Sequence, residues 1–447
     1  MKYNFSRREF LRRSTLAAAS GIVAAPFVSR KLFGSTPSNT VLHASIGTAN
    51  QARADLERLT DSSSVKLVAV ADVDSTKSSA LKEKYPDVRI YEDWRQLLDK
   101  ERHLDSLNVS TPDHMHAPIA MSAMQLGKHV YVEKPLTHDI YETRMLTEYA
   151  RKKKLVTQMG IQIHSASGYR QAVKTIRDGV IGKVREVHAW CGKDKGWGDS
   201  SPRPDKSDPV PSGFNWNLWL GTAETRPFIG NGYYHPVNWR KRLDFGTGTF
   251  GDMGCHIFDP IFGALELTAP LTIWSGGTAP NQWNWAIDAK VQLIFPGTAY
   301  TASNKVSLTW YNGEQEPPRD ILALVAGEHP GCGSIFVGTK GVMLLPHPFR
   351  PKLFPEKDFA DFNLPKVEDG NHYHTFIEAV RGNAKTTANF DYSGPLTEAV
   401  LLGTVATRFP KTTLEWDAKK LKFTNLADAN LFLRRRYRKG WEVKGLS

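Results

Sequence analysis

A doubly wound parallel α/β sheet, followed by an α+β domain with a largely antiparallel open sheet, is the architecture the sequence predicts. Two observations carry this. Between residues 40 and 160, near-continuous apolar runs such as Val65-Lys-Leu-Val-Ala-Val-Ala71 alternate with segments of helical period. Strands buried on both faces and separated by helices build parallel sheets. Beyond residue 160 the runs alternate in polarity and helices thin out, as in antiparallel sheets. The 447 residues are long enough for two hydrophobic cores.

In chain order, Ser6-Arg7-Arg8-Glu9-Phe10-Leu11 precedes a weakly apolar run at 16–28. A twin arginine before such a run has the form of a twin-arginine export signal, so 1–38 is set aside as signal and linker and a periplasmic location is expected. Strands are expected at 40–46, 65–71, 89–91, 106–111, 129–132 and 155–158, with helices at 51–59, 75–85, 93–98, 116–126 and 140–153. This dinucleotide-binding region spans 39–160. The second region, 161–447, should hold a helix at 168–178, a strand at 184–190 and a proline-rich wall at 192–214. Strands follow at 272–275, 286–295, 299–310, 334–337 and 342–345, then helices at 372–380 and 394–407.

Formal net charge is +12, but seven basic residues and one acidic fall within residues 1–40. The remaining excess is mild and forms no basic stripe interleaved with aromatics, which argues against nucleic acid as a partner. The run Arg434-Arg435-Arg436 reads as a solvated or salt-bridged face. Cys191, Cys255 and Cys332 have neither zinc spacing nor the number for a disulfide framework; one bridge is conceivable in an oxidising compartment, but buried thiols are expected.

After the first strand, Gly47-Thr48-Ala49-Asn50-Gln51-Ala52 stands where a dinucleotide loop would read G-x-G-x-x-G. Gly47 keeps the tight turn, while Ala49 and Ala52 replace the other two glycines. Asp72 ends the second strand, where a carboxylate binds ribose hydroxyls and repels a 2′-phosphate. NAD is therefore expected over NADP in a Rossmann-type site.

Further on come Thr111-Pro112-Asp113-His114-Met115-His116, Tyr131-Val132-Glu133-Lys134-Pro135 and Gly251-Asp252-Met253-Gly254-Cys255-His256-Ile257-Phe258-Asp259. With the strand-end aspartate, this ordered set resembles the Gfo/Idh/MocA oxidoreductases. The resemblance implies an NAD- or NADP-binding first domain. It also implies a second domain whose sheet covers the nicotinamide and forms the homo-oligomer, and substrates among sugars, inositols and their derivatives. By position it places the family's strand-end lysine on Lys134 beside Glu133, its aspartate and histidine on Asp252 and His256, and its Thr-Pro pair and helix-start histidine on Thr111, Pro112 and His116. Pro260 should kink the helix carrying Asp252 and His256, or open the next one.

Hydride loss from a carbinol carbon requires its hydroxyl proton to leave too. His256 suits the general base, Asp252 the group that orients substrate or imidazole, and Lys134 the donor to the developing alkoxide. No ligand cluster accompanies them to make a metal centre. Gln162 and His164 follow the last strand of the first sheet, Gln162 on the cofactor side and His164 on the substrate side. Trp197, Trp216, Trp219, Tyr233, Tyr234, His235, Trp239 and Arg240 precede the Asp–His segment. Aromatic faces stack on sugar C–H surfaces, so Tyr234, Trp239 and Arg240 are candidate carbohydrate contacts. The leading expectation is an exported NAD-dependent sugar oxidoreductase. The alternatives are a glycoside hydrolase cycling a retained NAD and a non-catalytic sugar-binding protein.

Overall fold

The computed structural model describes residues 40–192 and 196–447; the export-signal segment 1–38 lies outside the described residues. The first sheet contains β1 (Val41–Ile46), β2 (Val65–Ala71), β3 (Arg89–Tyr91), β4 (Ser106–Val109), β5 (His129–Glu133) and β6 (Thr157–Gly160). Its order is β3-β2-β1-β4-β5-β6 and every pairing is parallel. The order reverses between β1 and β4, so loops leaving these strands diverge and open a crevice at their carboxyl ends.

The connecting helices are α1 (Gln51–Leu59), α2 (Ser75–Ser79), α3 (Trp94–Lys100), α4 (His116–Gln125) and α5 (Ile140–Lys153). Asp93 caps α3 on Arg95 N, and Asp139 and Glu142 form a capping box at the start of α5. The helix expected at 75–85 stops at Ser79 and continues as a 3₁₀ turn, Ala80–Lys82. The strand expected at 155–158 starts two residues later. Lys154 is left-handed, and the Leu155 amide is still bonded to Ala150 O at the end of α5.

The second sheet comprises β7 (Val184–Gly192), β8 (Thr272–Gly277), β9 (Ala289–Pro296), β10 (Lys305–Gly313), β11 (Cys332–Gly338), β12 (Val342–Pro346), β13 (Lys352–Phe354), β14 (Thr413–Asp417) and β15 (Lys422–Phe423). Its order is β13-β12-β11-β7-β10-β9-β8-β14-β15, antiparallel except for β7 against β10. Packed around it are α6 (Ser167–Arg177), α8 (Gly248–Leu265), α9 (Arg319–Ala323) and α11 (Phe390–Ala406), while α7 (Trp216–Leu220) lies in an aromatic cluster with Tyr234 and Phe245 and α10 (His372–Val380) lies against the first sheet. One apolar core runs from β1 and β4 through α8 and α11 to β9 and β10. α8 passes unbroken through Pro260, contrary to a new helix starting there. The proline lacks the amide hydrogen that would bond the His256 carbonyl, but its neighbours hold the helix together.

The chain finally returns to the first sheet. Tyr373, Phe376 and Ile377 of α10 pack with Val41, Leu59 and Tyr131. Arg435 is salt-bridged, as one of the two readings expected, and largely buried: it donates to Glu142 Oε1 at 2.7 Å and lies 3.7 Å from Asp139.

Cys191 and Cys332 form a disulfide, which corrects the expectation of buried thiols; only Cys255 is free and buried. The pairing escaped sequence reading because 141 residues separate the two cysteines. They meet only because β7 and β11 are adjacent, in a register that sets them opposite each other. Non-reducing peptide mapping should recover the Cys191–Cys332 linkage, with a single thiol appearing only on unfolding. Cys332→Ser should lower the unfolding free energy by about 2–4 kcal/mol. Two additional free thiols in the native protein would contradict the linkage.

Candidate active site

The crevice at the β1/β4 reversal is a groove lined by Gly47, Thr48, Ala49, Asn50, Gln51, Asp72, Thr111, Pro112, Glu133 and Lys134 among others. At its floor the chain turns on Gly47, whose φ is +96°. A Cβ there would lie 2.6 Å from Ser110 O, so only glycine fits. Thr48 donates from its amide (2.8 Å) and its hydroxyl (2.7 Å) to Asp72 Oδ2, while the Asp74 amide bonds Oδ1 at 3.0 Å. Those three donors leave Asp72 one of its roughly four lone-pair positions. Burial raises its pKa despite these bonds.

Helix α1 starts at this turn without a side-chain cap. An uncapped helix N-terminus directed at a groove suits a pyrophosphate, and Asp72 suits a ribose hydroxyl. Ala49 in place of glycine does not close the groove. The residues present therefore fit a bound dinucleotide.

Lys134, at the end of β5, and Asp252, on α8, meet at 2.5 Å between Nζ and Oδ1. Arg240 Nε also donates to Oδ1 at 3.3 Å, and Trp197 Nε1 donates to Oδ2 at 2.7 Å. The Arg240 guanidinium lies over Trp239 at 4.2 Å and over Trp197 at 5.3 Å. Burial opposes charge on Asp252, but Lys134 and Arg240 outweigh it and hold the carboxyl well below the usual range. Burial likewise opposes the Lys134 charge, and Asp252 outweighs it, raising the ammonium's pKa. Both members therefore stay ionised throughout the neutral range.

His256 lies one turn beyond Asp252 on the same face of α8. Burial, then Lys134 and His347, push its pKa well below the ordinary value, so the imidazole is neutral. Its Nδ1 is buried with no partner among the described residues, an acceptor or donor left for something not in the chain. Neither Asp252 nor His256 is among the residues lining the groove, but Lys134, which pairs with Asp252, is.

Several expected site residues lie elsewhere. His116 is 1% exposed and wedged between the carbonyls of Pro135 (2.8 Å) and Thr111 (2.9 Å), so it braces two groove loops without facing the groove. Gln162 is also off the groove and donates to Glu133 Oε1 at 2.8 Å. His164 turns to Asp259 (2.7 Å) and Thr387 (3.0 Å) in a separate cavity with Tyr392. Tyr234 is 1% exposed inside an aromatic cluster with Trp216, Trp219 and Phe245, so it is core and not a sugar contact. Trp239 and Arg240 do line the groove.

Asp113 was missed as a site residue. It stands directly after the Thr111-Pro112 pair and lines the groove at 3% exposure. The only sequence signal was that adjacency. Burial raises its pKa from 3.8 to about 7, against the attraction of Arg240 and Lys134. The native state thus holds a proton the unfolded chain has released between those values, and stability falls as pH rises through that window. Asp113→Asn removes this loss. Its melting temperature should exceed the parent's at pH 8 by more than at pH 5, with a difference between the two pH values of up to about 3 kcal/mol in stability. Equal offsets at the two pH values would rule out the buried charge.

Two family models match the chain: "Oxidoreductase family, NAD-binding Rossmann fold" over residues 42–161 and "Oxidoreductase family, C-terminal alpha/beta domain" over residues 170–308. Levoglucosan dehydrogenase of Pseudarthrobacter phenanthrenivorans is 24% identical over 168 residues, covering 37% of this chain and 34% of that protein. Inositol 2-dehydrogenase of Salmonella typhimurium is 29% identical over 136 residues, covering 30% and 40%. Alpha-N-acetylgalactosaminidase of Shewanella oneidensis is 24% identical over 206 residues, covering 41% and 45%. The chain thus spans less than half the length of these curated relatives. Among solved structures, the WlbA dehydrogenase from Bordetella pertussis in complex with NADH and UDP-GlcNAcA superposes with a TM-score of 0.60 at 14% identity, over 85% of this chain and 99% of that one. GenD2 from gentamicin A biosynthesis in complex with NAD gives 0.58 at 16% identity, over 86% and 99%. These likenesses show the fold. With both family models matched in sequence and the two sheets in the order described, the chain belongs to the Gfo/Idh/MocA oxidoreductase family and carries its NAD-binding Rossmann fold.

Proposed function

We propose that this protein is an NAD-dependent oxidoreductase of CH–OH groups acting on a sugar or sugar derivative, with hydride transfer at a ring hydroxyl carbon. The observation that carries this reading is the Lys134–Asp252 pair, buried where the dinucleotide groove meets α8. The nicotinamide supplies a hydride acceptor when bound; the remaining chemistry belongs to the chain. Lys134 donates to the reacting oxygen and stabilises its developing negative charge. Asp252 fixes the ammonium, and with Trp197 and Arg240 shapes the wall a substrate would meet. His256, one turn from Asp252 on α8 and with a neutral imidazole, is the general base of this proposal. Gly47, Thr48, Asn50, Gln51, Asp72, Thr111, Pro112 and Glu133 hold the cofactor. The relatives' names support carbohydrate substrates.

Export by the twin-arginine route to the periplasm is part of the same proposal. The Cys191–Cys332 disulfide supports it, since such bonds persist in oxidising compartments. Assembly into a homo-oligomer through the second sheet is proposed on the resemblance alone. The disulfide also favours a second reading. Outside the cytoplasm a dinucleotide is not replenished, so NAD would stay bound and be regenerated within each turnover, as in a glycoside hydrolase using an oxidation–elimination–hydration–reduction cycle. The similarity to an alpha-N-acetylgalactosaminidase is consistent with that route.

Denatured purified protein should release NAD(H) into the supernatant. With added NAD⁺, levoglucosan or myo-inositol should give NADH absorbance under the first reading. Under the second, aryl α-N-acetylgalactosaminide should be cleaved without added acceptor. Neither activity, with no NAD(H) released, would sink both. Lys134→Ala should reduce turnover by about 10²–10³. It also strands the buried Asp252 carboxylate, destabilising the fold by about 3–5 kcal/mol. The double variant Lys134→Met/Asp252→Asn should recover stability but not turnover; recovery of both would remove Lys134 from the chemistry.

A further inference from the structure

We propose that residues 213–240, between β7 and α8, form a fixed cover that locks the dinucleotide into its groove, so that cofactor exchange is slow against turnover. The inference rests on the dinucleotide reading of that groove and adds a second binding element from outside the first sheet. Asp72 and Asp74, which follow β2, line the groove together with Trp219, His235, Val237 and Arg240 of the cover. At one end His235 Nε2 lies 3.8 Å from Asp74 Oδ2; at the other Arg240 Nε lies 3.3 Å from Asp252 Oδ1. Residues 235–240 therefore run from the ribose-binding end of the groove to the Lys134 end.

The attachments make the cover part of the packed chain. Its start pairs with the residues directly after Asp72: Ser75 N donates to Gly213 O and Asn215 N to Val73 O, both at 2.8 Å, with an antiparallel bridge between Asp74 and Phe214. Phe214 stacks on His235 with ring centroids 4.9 Å apart, so this short ladder also holds the histidine that lines the groove. The loop after β4 grips α7 and its exit: His114 Nε2 donates to Trp219 O at 3.1 Å, and the Thr222 hydroxyl donates to His114 O at 3.3 Å. From near the C-terminus, Arg438 donates through Nε to Gly221 O at 3.0 Å and through Nη2 to Asn217 O at 2.9 Å. Inside the cover Phe214, Trp216, Trp219 and Tyr234 form one aromatic cluster, and Val73 packs against it. Segments that open readily have few buried apolar contacts. Lifting this one would break main-chain bonds and wet several aromatic rings at once.

The test follows exchange and not activity. The full chain, carrying NAD or loaded with it, is mixed with excess isotopically labelled NAD⁺, and label on the protein is read by mass spectrometry after rapid desalting. A groove binding at about 1 µM and loading at about 10⁶ M⁻¹ s⁻¹ would exchange in about a second, and the covered groove should take at least about 10³ times longer. Phe214 and Arg438 hold the cover without lining the groove. Arg438→Ala and Phe214→Ala should each speed exchange by at least about 10-fold, the effect of weakening the closed state by about 1.4 kcal/mol. Unfolding, followed by tryptophan fluorescence, should stay slower than exchange in both variants, which separates release past the cover from release through global unfolding. Should Phe214→Ala fail to fold, Arg438→Ala decides. Exchange within seconds in the parent, or parent-like exchange in the folded variants, would overturn the cover and leave the NAD reading standing. Protein that neither carries nor binds NAD would overturn both.

Discussion

A single buried ion pair, Lys134 with Asp252, ties the last turn of the dinucleotide-binding sheet to the long helix that carries the second sheet's core. Both side chains are only 12% exposed. Neither charge could be left alone there, because an unpaired buried ion costs several kcal/mol. The pair therefore dictates what surrounds it. Arg240 and Trp197 complete the shell around Asp252, and His256 is kept neutral by burial and then by the Lys134 ammonium. Positive charge is thus held, largely out of solvent, at the end of β5 beside the groove.

The same logic of burial sorts the carboxyls of the cleft. Asp252 has two cations and stays charged; Asp113 has the same cations at longer range and lies between states. Glu133, one residue from Lys134, is pushed up by burial and by Asp55, and Gly160 has no side chain because a Cβ there would lie 2.2 Å from Glu133 Oε1. Three neighbouring acids thus take different protonation states from small differences in partner and depth, which is how one site accommodates both acid and base chemistry.

Much of the fold was legible before any coordinates. The limits of α1, β2, β3 and α5 follow from apolar period and from capping signals such as Asp139 with Glu142. Parts of the site were legible because motif residues sit at strand ends, where Asp72, Thr111 and Lys134 were placed. What failed were side chains whose direction depends on packing. His164 and Tyr234 sit near the site in sequence, yet one faces a second cavity and the other an aromatic core.

The sequence alone determined the alternation of buried strands and helices, the turn at Gly47 and the identity of the lysine, aspartate and histidine, because these are local: apolar period, the conformational freedom of glycine and residue type. Tertiary structure alone decided which distant groups meet. It set Cys191 opposite Cys332, brought Arg435 back to Glu142, placed Trp197 on Asp252 and buried Asp113 deep enough to hold a proton. Strand adjacency, helix face and depth from solvent are properties of the packed chain, and no stretch of neighbouring residues encodes them.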